Sequence, residues 1–139
     1  MRVLVPYDGS ELAVSALEYA SERYDDAEIV LLYVLDLVEA GYDAPPGAEL
    51  PVFRSEWYED AAEKAERILE ASRSIVDADV ESETVAGRPA RAIVEYAEEN
   101  EIDEIVLGSH GRDGVERILL GSVAETVVRR SPVPVTVVR

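Results

Sequence analysis

Cysteine is absent from this chain of 139 residues, and histidine occurs once, at His110. Without thiols the chain has no disulfide, no thiolate metal site and no thiol nucleophile. With one histidine, a zinc site would have to be built mostly from carboxylates. These absences remove thiol and zinc enzymes from the functions to be considered.

Long apolar runs are also missing. The longest run is far shorter than the roughly 18 residues that a membrane-spanning helix needs. The apolar segment at residues 1–8 is too short for a secretory signal peptide. We therefore expect a cytoplasmic protein with no membrane partner.

Lysine is nearly absent, because Lys64 is the only one in the chain. The 13 basic residues face 30 acidic ones, which leaves a formal net charge of -17. This acid excess argues against nucleic acid as a partner. It resembles the surfaces of proteins from salt-loving organisms, where high salt screens the repulsion between carboxylates. An acidic tail that binds a basic protein is the alternative, but the carboxylates are spread along the chain.

The C-terminal part of the chain departs from this acidity. Residues 108–139 contain five arginines against three carboxylates, so this segment is locally basic. A repulsive field would oppose a phosphate ligand, and a locally positive segment removes that obstacle.

Apolar runs alternate with amphipathic stretches along the chain, which at 47% hydrophobic is long enough to bury a core. This alternation predicts an α/β domain around a parallel sheet with right-handed crossovers. Alternating acidic and apolar residues indicate that the third strand lies at an edge. A long loop at 36–53 is predicted either as a lid over a site or as a surface excursion. The predicted strands are 2–6, 28–35, 78–86, 104–107 and 133–138, and the predicted helices are 11–24, 56–76, 90–99 and 122–130.

Two helix starts carry capping signals. Asp8 and Ser10 are both candidate caps of the first helix, and Asp8 with Glu11 fits a loose capping box. The last helix opens at Gly121 and Ser122, where Ser122 is the candidate cap.

A glycine-rich loop joins the fourth strand to this last helix. The strand breaks at Gly108, and the chain passes Gly111 and Gly114 before Gly121 and Ser122. Glycines permit positive φ angles and close approach of a ligand to the backbone. The first N–H groups of a helix attract anions. The pattern therefore predicts a phosphate site, while the alternative is that the glycines only shape a surface loop.

The spacing Gly108-x2-Gly111-x9-Gly121-Ser122 resembles the nucleotide-phosphate signature of the universal stress protein family, in its ATP-binding branch. The resemblance covers the whole chain, through VPYDGS, LLYVLD, VAGRPARAIVEYA and SPVPVTVV. It implies a single domain over 1–139, a Rossmann-like three-layer sandwich with four helices and a five-stranded parallel sheet in the order 3-2-1-4-5. In that order the winding reverses between strands 1 and 4, where ligands of open α/β sheets bind. Asp8 and Gly108 follow those two strands.

The resemblance also implies a ligand and its contacts. The ligand is ATP, with AMP or ADP as alternatives, accompanied by Mg²⁺. The family's adenine contact falls on Val34 and its ribose aspartate on Asp8, and two loop residues, His110 and Arg112, either touch phosphate or are solvated. The remaining implied site residues are Pro6 and Tyr7, which line the pocket, and Gly108, Gly111, Gly121, Ser122 and Val123, which hold the phosphates.

Other function classes fit the sequence less well. The GxxxxGK[ST] motif of many ATPases is absent, so we expect no enzyme and slow or no hydrolysis of ATP. A phosphoacceptor receiver domain would need an aspartate after the third strand, where Ala86, Gly87 and Arg88 stand. The remaining alternative is a dimeric, stress-associated scaffold without bound nucleotide. The resemblance implies a role in stress response and a homodimer formed through the last strand.

If the acid excess is an adaptation to salt, the folded state should become more stable as salt rises, because screening weakens the repulsion between carboxylates. Thermal melting in low and in molar KCl measures this, and we expect a higher melting temperature in molar KCl. Equal melting temperatures in the two conditions would contradict salt adaptation, without bearing on the fold.

Overall fold

Five strands form one parallel sheet flanked by four helices in the computed structural model, which describes residues 1–37, 56–76, 79–110 and 120–139. The elements are β1 (Arg2–Pro6), α1 (Glu11–Arg23), β2 (Glu28–Asp36), α2 (Glu56–Ser72), β3 (Val80–Gly87), α3 (Pro89–Glu99), β4 (Glu104–Gly108), α4 (Ser122–Arg130) and β5 (Val135–Val138). Within these ranges, no helix is long and apolar enough to cross a membrane.

The strand order is β3-β2-β1-β4-β5, and every neighbouring pair is parallel. This confirms the predicted fold class and order. β1 lies at the centre and pairs with both β2 and β4. The chain therefore runs from β1 outward to β3 on one side of the sheet. It then crosses back to β4, next to β1, and continues outward to β5 on the other side.

The core consists of two layers, one on each face of the sheet. The first lies under α1 and α2 and includes Val5 and Leu31. The second lies under α3 and α4 and includes Leu4 and Ile105. Because successive strand residues point to opposite faces, the central strands need apolar side chains at nearly every position. The nearly unbroken apolar sequence of β2 reflects this double burial.

The predicted ends of some helices and strands differ from the ends in the structure. The predicted second helix was too long, since α2 ends at Ser72 and not at residue 76. The last strand begins at Val135, two residues later than predicted, after Pro134. Proline cannot donate a ladder hydrogen bond, and its place before the strand agrees with that rule. Most of the predicted loop at 36–53 lies outside the described residues.

The first helix is capped by Ser10, whose Oγ accepts a hydrogen bond from the Ala13 N–H at 3.3 Å. The predicted capping box of Asp8 and Glu11 was therefore wrong. Gly9 adopts φ +81°, so the chain turns between Asp8 and the helix start. Within this turn, Asp8 Oδ1 accepts the Ser10 N–H at 2.9 Å instead of capping the helix.

Candidate functional site

A cavity of about 600 Å³ opens at the carboxyl ends of β1, β2 and β4 and reaches the beginning of α4. It lies at the winding reversal, where ligands of open α/β sheets bind. Gly111 and Arg112 lie outside the described residues. The other predicted site residues all line the cavity, namely Pro6, Tyr7, Asp8, Val34, Gly108, His110, Gly121, Ser122 and Val123.

The turn after β1 forms one wall of this cavity. Gly9 holds a positive φ that other residues rarely adopt, and a Cβ there would lie 3.0 Å from Ile68 Cγ2 on α2. The turn is therefore both conformationally restricted and tightly packed. It places Asp8 at the cavity wall.

The main chain of Val34 is the second feature of the cavity. The N–H and C=O of one strand residue point to the same neighbouring strand, and the direction alternates along the chain. The Tyr7 N–H donates to Leu32 O at 2.9 Å, and the Leu37 N–H donates to Gly87 O at 3.2 Å. Even-numbered residues of β2 thus face β1, and odd-numbered ones face β3.

Because β1 ends at Pro6, no strand of the described sheet lies opposite the polar groups of Val34 on that side. Val34 therefore presents one N–H donor and one C=O acceptor, side by side, at the cavity. This pair suits a planar heterocycle that carries a donor next to an acceptor, and adenine is such a base.

Gly108 permits close packing between β4 and α1. A Cβ at this position would lie 2.8 Å from Leu12 Cβ and 3.1 Å from the Leu12 carbonyl carbon. Its φ is outside the positive range, so the glycine is required by space and not by conformation. Sequence reasoning assigned the glycine to ligand approach and missed this contact with the helix backbone.

Gly121 joins the end of β4 to the beginning of α4. Its N–H donates to Ser109 O at 2.7 Å, and a Cβ would lie 3.0 Å from the same oxygen. His110 Cδ2 lies 3.4 Å from that Cβ position. The N–H of Gly121 is thus engaged inside the protein, so its contribution to a ligand site is to let these two segments meet.

Free backbone donors begin one residue later. Gly121 is the N-cap of α4, and the first helical hydrogen bond runs from the Glu125 N–H to Gly121 O at 2.9 Å. The N–H groups of Ser122, Val123 and Ala124 precede that bond and have no acceptor within the helix. The prediction that Ser122 caps the helix was therefore wrong, because Ser122 is its first residue.

These three N–H groups stand at the positive end of the helix dipole, and the residues that carry them line the cavity. Such a helix start is a ready binding site for phosphate. Ala124 was not predicted as a site residue. The general rule that the first turn of a helix has unpaired N–H groups would have found it.

Ionisable side chains surround the cavity. Burial and the neighbouring Asp8 carboxylate both raise the pKa of Tyr7, so its phenol stays neutral at ordinary pH. His110 Nδ1 lies 3.2 Å from the hydroxyl of the buried Ser109. Asp36 and Lys64 also line the cavity, and sequence reasoning missed both of them.

A resident metal has little support from the described side chains. No group of three or more His, Asp or Glu residues in the described ranges could hold a metal ion. Mg²⁺, however, usually binds through substrate phosphates, water and only one or two carboxylates. Its place in this site would therefore depend on the ligand.

Comparison with known proteins gives a consistent result. The sequence model of a protein family, described as "Universal stress protein family", matches residues 1–139 of this chain. The universal stress protein MJ0531 of Methanocaldococcus jannaschii is 35% identical over 141 residues, covering 99% of this chain and 81% of the relative.

Solved structures show the same architecture. The structure of the universal stress protein UspA from Lactobacillus plantarum superposes with a TM-score of 0.76 at 28% identity, covering 100% of this chain and 97% of that one. The universal stress protein from Archaeoglobus fulgidus in complex with dAMP gives a TM-score of 0.72 at 24% identity, over 100% and 98% of the two chains. At 24% identity, the similarity to the Archaeoglobus fulgidus protein shows the fold alone.

Replacing Gly108 by Ala should destabilise the fold by about 1–3 kcal/mol, the usual cost of overpacking a tight contact. The physical reason is the 3.1 Å approach of the new Cβ to the Leu12 backbone. Gly87→Ala is the matched control, because its Cβ would lie 3.7 Å from Ala92 Cβ, an ordinary contact. Chemical denaturation in high salt measures both variants. Equal free energies of unfolding for the two would contradict the close approach of α1 to Gly108.

Proposed function

This chain belongs to the universal stress protein family, and from that membership and the site geometry we propose that it binds ATP as a regulatory ligand in the stress response. The observation that carries the proposal is the row of N–H groups at Ser122, Val123 and Ala124, which lies at the winding reversal of the sheet. AMP and ADP would use the same contacts with fewer phosphates.

The phosphate end of the ligand would lie at the start of α4. Three N–H donors and the helix dipole act together there on a negative group. The locally basic character of residues 108–139 supports the same placement in a chain that is otherwise strongly acidic. Mg²⁺ would accompany the triphosphate, held mainly by phosphate oxygens and water.

The base end of the ligand would lie at Val34. The N–H and C=O of this residue offer one donor and one acceptor beyond the end of β1. Asp8 stands between the two ends, on the turn after β1, where it would face the ribose. The dAMP complex of the Archaeoglobus fulgidus protein supports the proposal at the level of the fold, because an adenine nucleotide binds a protein of this architecture.

Hydrolysis should be slow or absent. Phosphoryl transfer depends on groups that orient the nucleophile and neutralise charge on the transferred phosphoryl group. The sequence has no GxxxxGK[ST] motif, and Lys64 is the only lysine or arginine among the described residues that line the cavity. We therefore propose a nucleotide-dependent regulator and not an ATPase.

Titration calorimetry with ATP in molar KCl tests the proposal, and proline at position 122 tests the role of the helix N–H groups. Ser122→Pro removes one N–H at the first helical position, where proline is well tolerated. Gly121, with φ −65° and ψ 161°, already has the extended conformation that a following proline requires. We expect ATP binding to weaken by about 1.5–3 kcal/mol, the scale of a hydrogen bond to a charged group.

Ser122→Ala is the matched control, since it removes the hydroxyl but keeps the N–H. It should weaken binding by at most about 1 kcal/mol. Equal effects of proline and alanine would contradict phosphate binding by the backbone. No binding of ATP to the unaltered protein at millimolar concentration would leave the dimeric scaffold without nucleotide as the better explanation.

We also propose a homodimer formed through β5, because the two edges of the sheet differ. The edge strand β3 has exposed Glu81 and Glu83, which discourage pairing with another chain. The opposite edge, β5, has the uncharged sequence VTVV with half-buried side chains. No strand of the described sheet covers its outer side.

Proline at Val137 tests this interface. Ile105 on β4 donates to Pro134 O, and Ser109, just after β4, donates to Val138 O. Even-numbered residues of β5 therefore face β4, and the Val137 N–H faces outward. Val137→Pro should therefore spare the internal ladder and block pairing with a second copy. We expect light scattering to show a dimer for the unaltered protein and for Val137→Ile, and a folded monomer for the proline variant. A dimeric proline variant would exclude this interface.

A further inference from the structure

The cavity wall contributed by α2 contains Lys64, the only lysine of the chain. We propose that Lys64 binds a phosphate of the nucleotide from the wall opposite α4, and that it thereby favours phosphorylated ligands over adenosine. The inference rests on the proposed function, since it assigns a further contact to the same ligand.

The packing of α2 places Lys64 above the turn that follows β1. Ile68, four residues later, lies against Gly9, where a Cβ would be 3.0 Å from its Cγ2. Residues four apart lie on the same face of a helix, one turn from each other. Lys64 therefore lies one turn closer to the beginning of α2 on that face, and with Ala61 it reaches the cavity.

The next feature of Lys64 is that its ammonium group has no carboxylate partner among the described residues. Four arginines, Arg2, Arg73, Arg91 and Arg129, form ion pairs with glutamates. The exposed Lys64 forms no ion pair with any residue that the structure describes. Its ammonium group is therefore available to an anion that enters the cavity.

The identity of the residue also points to phosphate. All twelve other basic residues are arginines, so lysine is the exception and occurs at a cavity wall. A lysine ammonium is a compact charge on a flexible stem, and it binds phosphate as a point charge without a fixed planar geometry. A solvated surface lysine is the simpler explanation, and it predicts no effect on ligand affinity.

The two sides of the cavity complement each other. Lys64 belongs to the layer of α1 and α2, whereas the N–H groups at Ser122 and Val123 belong to the layer of α3 and α4. A phosphate chain between them would be contacted from both layers. Among the described lining residues, Lys64 is the only lysine or arginine, so its removal takes away the fixed positive side-chain charge of this part of the wall.

Lys64→Gln tests the inference, with Arg67→Gln as the matched control. Each variant removes one positive charge from an exposed position of α2, but Arg67 does not line the cavity. Calorimetry in molar KCl compares ATP with adenosine for both variants. We expect Lys64→Gln to weaken ATP binding by about two- to fivefold, the scale of an ion pair made by an exposed side chain. Adenosine binding should be unchanged, and Arg67→Gln should change neither affinity.

Failure of the inference is distinguishable from failure of the proposed function. If the unaltered protein binds ATP and Lys64→Gln binds it equally well, Lys64 is a solvated surface residue. Equal losses for ATP and adenosine would also overturn a phosphate contact. Equal losses of ATP affinity in Lys64→Gln and Arg67→Gln would mean that the loss comes from the change in net charge and not from a contact with Lys64. If the unaltered protein binds neither ligand, the proposed function fails and the inference fails with it.

Discussion

The hydrogen bond from the Gly121 N–H to Ser109 O, 2.7 Å long, is the contact on which the candidate site depends. It joins the end of β4 to the beginning of α4, where a Cβ at position 121 would lie 3.0 Å from the same oxygen. A larger residue there would require these two segments to shift by a few tenths of an ångström. The bond also determines that the free N–H groups begin at Ser122, so a structural constraint sets where an anion can bind.

The second constraint is the reversal of winding about β1. Because β1 ends at Pro6 while β2 continues to Asp36, the polar groups of Val34 face a space that no described strand fills. The same ending brings the tight turn at Gly9 to the cavity wall. The proposed contacts to base, ribose and phosphate thus all lie at one topological feature of the sheet. The acidic remainder of the chain would favour salt-dependent folding without disturbing this locally basic region.

Much of this structure was predictable, since the central strands are apolar runs, the third alternates acidic with apolar residues, and the resemblance supplied the strand order. Details that depend on tertiary packing were not. The glycine at 121 was expected to bind phosphate, but its N–H bonds to Ser109, a partner twelve residues away. The need for Gly108 comes from the backbone of Leu12 in α1, which no local pattern shows. Lys64 was visible in the sequence as the only lysine, yet its position at the cavity depends on how α2 packs against Gly9.

The central claim is that the N–H groups at the start of α4 bind the phosphates of an adenine nucleotide. The most direct test uses NMR of the ¹⁵N-labelled protein. It follows the amide chemical shifts during titration with ATP in high salt. We expect large shifts for the amides of Ser122, Val123 and Ala124 together with Val34. The Gly121 amide, already bonded to Ser109, should move less than these. Unchanged amide chemical shifts of Ser122 and Val123 at saturating ATP would contradict phosphate binding at this helix start.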